Sequence, residues 1–280
     1  MKRITPIFCL MLLTATIAVG SDFEKIQKKY TINTAELLTI YLEIDAGELT
    51  VSRNDTAAEI VVSGRINEKY DELDVGYDER NNEFSLIVDR KKWLKSVTDD
   101  NSSELEIKLP DDVVLDFRNK FKAGSFHLEL GGLSIENFEL RNLAGEVRVD
   151  FRQPNKIEMK SLNIAVKIGE TVLNRLGNAR FSEANINAGI GELQVDLSGE
   201  GLAASEIEID LDVGSTTIYL PTDQGIKLKS TTWGFLTNSH LDSGFDRRGR
   251  YYFSKNYRAA TKTLFVTIHS GIGELRVDLR

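Results

Sequence analysis

The sequence is almost free of cysteine. Its single thiol, Cys9, lies in an apolar run near the start, so the rest of the chain has neither disulfides nor thiol chemistry at its disposal. Proline is scarce too, with four in 280 residues. Two of them, Pro110 and Pro221, follow the strand-like runs Ile107-Lys108-Leu109 and Ile218-Tyr219-Leu220, where a residue without an N–H closes a ladder. The imidazoles are His127, His240 and His269. None of them has a partner at the spacing of a zinc-binding helix, so solvated histidines, no metal and no cofactor are expected. Positive charge is also in deficit, with 35 Lys and Arg against 43 Asp and Glu. The net charge of −8 argues against nucleic acid as a partner, because phosphates are bound by basic patches. After residue 20 no apolar run approaches the roughly 18 to 20 residues of a spanning helix, so the mature chain is expected to carry no intrinsic membrane anchor.

Residues 1–20 read as a secretory leader. Lys2 and Arg3 form the basic region, Ile4 to Thr16 the apolar run, and Ala18-Val19-Gly20 a small-residue cleavage site. Export is expected, to the periplasm or the cell surface, with Cys9 lost alongside the leader. Losing Lys2 and Arg3 takes the net charge from −8 to −10.

The organising pattern is Asn185 to Leu197, which returns almost unchanged at Thr267 to Leu279. With Gly191 as origin, Ile186, Ala188 and Ile190 alternate before it, and Leu193, Val195 and Leu197 alternate after it. In the second copy Ile268, Ser270, Ile272, Leu275, Val277 and Leu279 take the same places about Gly273. Alternation on each side predicts two short half-buried strands with all these residues on the inner face. The phase breaks at the glycine, so the chain turns a corner there. Equivalent corners fall at Gly47, Gly124, Gly145, Gly169 and Gly214, and from Gly124 to Gly214 the intervals are 21, 24, 22 and 23 residues. A unit of about 20–24 residues predicts an all-β, parallel β-helix-like solenoid, right-handed by the crossover rule. Its inner ladder would include Phe126, Val147, Thr171, Leu193 and Thr216. A sandwich of antiparallel hairpins gives the same alternation, but its turn signals usually come every 8 to 12 residues.

The chain divides accordingly into a leader (1–20), a polar lead-in (21–36), irregular N-terminal β repeats (37–115) and regular repeats (116–280). An insertion, 222–262, interrupts the last block. Strand-like runs at Glu59 to Ser63, Glu83 to Val88 and Glu104 to Leu109 are compatible with hairpins or with imperfect repeats.

These motifs resemble the bacterial toast-rack, or putative-adhesin, domains, whose copies also end cell-wall-stress response regulators. The resemblance rests on the corner Gly-Glu-Leu/Val, on Leu109-Pro110-Asp111-Asp112-Val113 before Gly124, and on the C-terminal third. That third runs from Val213-Gly214 through Ile218-Tyr219-Leu220-Pro221, Gly225-Ile226-Lys227-Leu228 and the stretch Tyr251 to Tyr257 to the closing Gly271-Ile272-Gly273-Glu274-Leu275-Arg276-Val277. It covers roughly residues 35–280. The resemblance implies a β-helix-like envelope domain with no catalytic residues.

Three features bear on chemistry. The Gly-x-Gly pairs at Gly189/Gly191 and Gly271/Gly273 lead into strands, whereas a nucleotide fingerprint leads into a helix, so they are read as corners. Glu48, Glu146, Glu170, Glu192 and Glu274 follow corner glycines, and Asp150, Asp196 and Asp278 recur four residues later. Stacked coils would turn them into acidic rows that suit Ca²⁺ or a basic partner, but Arg148 and Arg276 alternate with them, and cross-strand pairing explains the rows without a ligand. Lastly, the insertion gathers Trp233, Phe235, Phe245, Tyr251, Tyr252, Phe253 and Tyr257 with Arg247, Arg248 and Arg250. Such a segment can cap the last rung or recognise a glycan or acidic polymer, and its candidate contacts are Trp233, Phe235, Arg248, Tyr251 and Tyr252. The basic stretch Lys91-Lys92-Trp93-Leu94-Lys95 is expected to be a solvated loop. The sequence thus points to an exported, non-enzymatic envelope protein, adhesin-like or a scaffold, with an envelope glycan or envelope protein as partner. A carbohydrate-active enzyme on a β-helix is the competing class.

Overall fold

Alternation carried across a glycine corner gives one long bent strand rather than two short ones. A computed structural model describes residues 23–54, 58–91, 102–232 and 237–280; the leader, Trp93, Trp233 and Phe235 lie outside them. The strands, in chain order, are β1 (Phe23–Thr31), β2 (Leu38–Asn54), β3 (Glu59–Asn67), β4 (Asp71–Asp78), β5 (Glu83–Arg90) and β6 (Glu104–Pro110). They continue with β7 (Val114–Glu129), β8 (Ser134–Asp150), β9 (Met159–Asn174), β10 (Phe181–Asp196) and β11 (Ala204–Leu220). The last are β12 (Gly225–Thr232), β13 (Thr237–Leu241), β14 (Phe245–Arg248), β15 (Tyr251–Ser254) and β16 (Thr263–Leu279). All belong to one 16-stranded sheet.

Strands β2, β7, β8, β9, β10, β11 and β16 are 16 or 17 residues long, and each bends at its corner glycine. They pair in parallel, in the order β2-β7-β8-β9-β10-β11-β16, so Gly47, Gly124, Gly145, Gly169, Gly191, Gly214 and Gly273 are successive register partners. A methyl group on Gly191 would lie 1.9 Å from the Gly169 carbonyl oxygen, and one on Gly214 would lie 1.9 Å from that of Gly191. Both have φ near +140° (141° and 137°), which side-chain-bearing residues rarely adopt. The column of glycines therefore lets the strands pass the corner at normal sheet spacing.

The two arms of each bent strand line opposite walls of one core. Phe121 and Phe126, on the two arms of β7, stack with ring centroids 4.0 Å apart. The expected inner ladder is there: Leu49, Phe126, Val147, Thr171, Leu193, Thr216 and Leu275 are each at most 2% exposed. One expectation fails at the corner itself. Ile190 and Ile272, placed on the inner face by alternation, are 55% and 47% exposed, and their register neighbours Ile168 and Val213 are exposed too. The chain needs several residues to reverse direction, so Ile190 and Glu192 both sit on the outside of the bend.

The connections between the bent strands are held by buried amides. Asn155 Nδ2 donates to the carbonyls of Ile135 (2.7 Å) and Ile157 (3.0 Å), and its Oδ1 accepts from Ile135 N–H (2.8 Å). Asn178 Nδ2 donates to the Phe151 carbonyl (2.9 Å), and its Oδ1 accepts from Glu200 N–H (2.9 Å). These bonds satisfy polar groups that burial would otherwise leave costly.

Both ends are closed in the same way. At the start, β5 pairs with the first arm of β2 and β6 with the second, a rung made of two separate strands. Antiparallel β4 covers β5, and antiparallel β3 and then β1 cover β6. Asp71 ties the two halves of that rung together. Arg90 donates to both of its carboxylate oxygens (2.8 and 3.0 Å) and Ser103 Oγ donates to Oδ2 (2.5 Å), with the Asp71 side chain fully buried. At the other end β12 and β13 form a second split rung on β16, and antiparallel β15 and β14 follow β12. Much of the expected insertion is thus rung rather than interruption. The final strand β16 runs between β11 and β12, filling a place that the chain skipped when it left β11.

Gly191→Ala should cost about 3 kcal/mol or more, through strain at positive φ and a backbone collision. Gly76→Ala, where an added methyl group meets nothing within 4 Å, should stay within about 0.5 kcal/mol of the parent protein. Melting temperatures of the two variants check this, and equal losses would contradict the corner geometry.

Candidate functional site

Strand alternation decides which aromatics face solvent at the C-terminal end. Leu264, Val266 and Ile268 of β16 are buried, so Phe265, Thr267 and His269 point outward. On β12, Ile226 and Leu228 are buried and Lys227 points outward. Lys227 is in register with Phe265 on one side and Phe253 on the other. Tyr252 pairs with Leu228 and packs against the core, which leaves Tyr251 and Phe253 on the outer face.

The result is a lattice of rings and cations. Lys227 Nζ lies 4.4 Å from the Tyr251 ring centroid and 4.6 Å from that of Phe265. Tyr251 meets Phe265 edge-on at 6.2 Å and Phe253 at 6.3 Å, and Phe253 meets Tyr257 at 4.9 Å. Arg250 stands over Tyr251 (5.1 Å) and Arg248 over Phe253 (5.3 Å). At partly exposed sites such contacts contribute about 0.5–1 kcal/mol each and together favour this arrangement of the rings. Beside them runs an open groove of about 400 Å³, whose lining includes Ser182, Ser205, Glu206, Lys227, Tyr257 and Phe265. Rigid aromatic faces next to hydroxyls, a carboxylate and an ammonium suit a polar ligand with apolar faces.

Of the residues singled out from the sequence, Tyr251 and Arg248 join this surface, whereas Tyr252 faces inward. Trp233 and Phe235 lie outside the described residues. Sequence reasoning missed Lys227, which lies in the expected insertion itself, and Phe265, which sits in the regular repeat and joins the site because β16 pairs with β12. A larger concavity of about 660 Å³ lies at the other end, where Arg65 is 4.7 Å from the Phe23 ring centroid and is also paired with Glu104; it presents a single ring.

The acidic rows are paired only in part, and Glu146 and Asp278 meet an arginine two residues away on their own strand rather than across strands. Arg148 lies 3.7 Å from Glu146, Arg175 and Arg152 lie 3.2 and 3.7 Å from Asp150, and Arg276 lies 2.7 Å from Asp278. Burial is the main cause holding the Glu129 carboxyl above its usual range, and nearby Asp150 adds to it. Among the histidines His240 is exposed, and His127 and His269 face outward half-buried.

The fold and this surface define a β-solenoid whose candidate ligand contacts lie on an open outer face. Residues 19–161 match the family model described as the N-terminal domain of toast_rack, DUF2154, and the chain belongs to that family. The aromatic surface lies beyond the matched residues. No curated protein matches the chain significantly. Among solved structures the chain is similar to a putative cell adhesion protein from Clostridium sporogenes, at 17% identity and a TM-score of 0.47, covering 92% of this chain and 100% of that one. It is also similar to a putative adhesin from Bacteroides fragilis (11% identity, TM-score 0.40, 91% and 97% covered). A third is a putative lipid binding protein from Parabacteroides distasonis (12%, 0.38, 91% and 97%).

The two adjacent tyrosines should separate packing from recognition. Tyr252→Ala removes a ring packed on the core and should cost about 3 kcal/mol, whereas Tyr251→Ala should cost about 1 kcal/mol or less. Chemical denaturation of both variants checks this, and the reverse order would contradict the assigned faces.

Proposed function

We propose that this protein is an exported, non-enzymatic envelope protein that binds a glycan through the outward aromatic face of β12, β15 and β16. The observation that carries this reading is the Lys227 ammonium held between the rings of Tyr251 and Phe265 at the edge of an open groove. Sugar rings lay their apolar faces on such platforms, and their hydroxyls or carboxylates find partners in Lys227, Glu206, Ser182 and Ser205. Export is supported by the leader pattern of residues 1–20, with the periplasm or the cell surface as destination. Among the described residues no helix is long and apolar enough to cross a membrane.

The competing reading, a carbohydrate-active enzyme, has one observation in its favour. Glu183 and Glu206 are register partners on β10 and β11 beside the groove, and glycoside cleavage uses two carboxylates. Both are exposed, whereas a proton-donating carboxyl needs burial to stay protonated at neutral pH. Binding is therefore the reading the geometry supports better.

Purified protein should bind bacterial envelope polysaccharide coated on a surface, and Phe265→Ala or Tyr251→Ala should weaken that binding about fivefold or more, as loss of one aromatic contact of roughly 1 kcal/mol implies. Unchanged binding in both variants would sink the glycan reading. Release of reducing sugar that Glu206→Gln abolishes would replace it with the enzymatic one.

A further inference from the structure

A few residues along β16 from Phe265, strand pairing brings His269 beside two carboxylates, Glu208 and Asp210, that lie about sixty positions earlier in the sequence. Asp210 of β11 is the register partner of His269 of β16, and Glu208 stands two residues before Asp210 on the same outward face. A ligand atom from each of the three lies within 4.8 Å of the other two. His269 Nε2 is 3.2 Å from Glu208 Oε1, close to the edge of about 3.3 Å for a tetrahedron with zinc-like bonds of about 2.0–2.1 Å.

Several other acids on that face are paired with a cation. Glu43, Asp116 and Glu139 each meet a lysine or arginine, namely Lys120, Arg118 and Arg141. Glu208 and Asp210 have no such partner among the described residues, and Asp212 extends the row of negative charge on β11. Burial, reinforced by Glu208 and Asp212 and opposed by His269, holds the Asp210 carboxyl above its usual range. Lys229, in register with Thr267 on β12, lies two strands from Glu208, on the far side of β16. The cluster therefore lacks a neutralising cation of its own.

We infer that Glu208, Asp210 and His269 form a binding site for a divalent transition-metal ion of the zinc class. One imidazole with two carboxylates is a donor set for such ions, whereas calcium takes six to eight oxygen ligands. Three protein ligands leave zinc an open position toward solvent, which an oxygen atom from outside the chain can fill.

Calorimetric titration of the untagged, purified protein with zinc chloride tests the site. One equivalent should bind, and His269→Ala and Asp210→Asn should each weaken binding at least tenfold. Glu274→Gln, an acid outside the cluster, should leave it unchanged. With cobalt(II) as probe, visible absorption bands should appear in the parent protein and vanish in His269→Ala. All three positions face outward, so melting temperatures of the metal-free variants should match the parent and exclude misfolding. Absence of a stoichiometric site, or equal zinc affinity in parent and His269→Ala, would overturn the assignment.

Discussion

At each regular corner the carbonyl of one glycine occupies the space that a side chain on the next would need. This constraint fixes the register of seven bent strands at once, because a slip of one residue would bring a side-chain-bearing residue into the column. Register in turn decides which residues face inward, and the inward set builds one continuous core from both arms. Burial of that core supplies the stabilisation; the glycines make the burial sterically possible.

A solenoid leaves its end rungs with unpaired backbone, and this chain closes both with split rungs followed by antiparallel strands. The solution has a functional consequence at the C-terminal end. Because β16 returns to lie between β11 and β12, it places Phe265 beside Lys227 and His269 beside Asp210. Residues from the regular repeat and from the cap thereby share one face. The proposed glycan surface and the proposed metal site both depend on that single topological step. At the N-terminal end, where Asp71 joins Arg90 to Ser103, the same kind of split rung is pinned by a buried, hydrogen-bonded ion pair, whose disruption typically costs several kcal/mol.

Much of the architecture can be read from the sequence, because alternation and the recurring glycine are local signals. The inward placement of Phe126, Val147, Thr171, Leu193 and Thr216 follows from counting residues from the corner. The same counting misplaces Ile190 and Ile272, since periodicity describes straight strands and says nothing about how many residues a bend uses. The insertion of β16 is invisible in sequence order, because parallel rungs with similar inner faces can stack in more than one order. That is why Lys227, Phe265 and the partnership of His269 with Asp210 escaped sequence reasoning, although each lies on an outward position that alternation identifies.

The whole arrangement depends on the corners stacking in register with β16 between β11 and β12. Disulfide trapping tests this directly in a chain whose Cys9 has been replaced by serine. Val213 and Ile272 are exposed register partners on adjacent strands, about 4.8 Å apart, within bridging range. Ile190 and Ile272 are two strands apart, about 9.6 Å by the same spacing and out of range. Cysteines at 213 and 272 should therefore form an intramolecular disulfide under mild oxidation, whereas cysteines at 190 and 272 should remain reduced. Trapping of the second pair but not the first would contradict the proposed strand order.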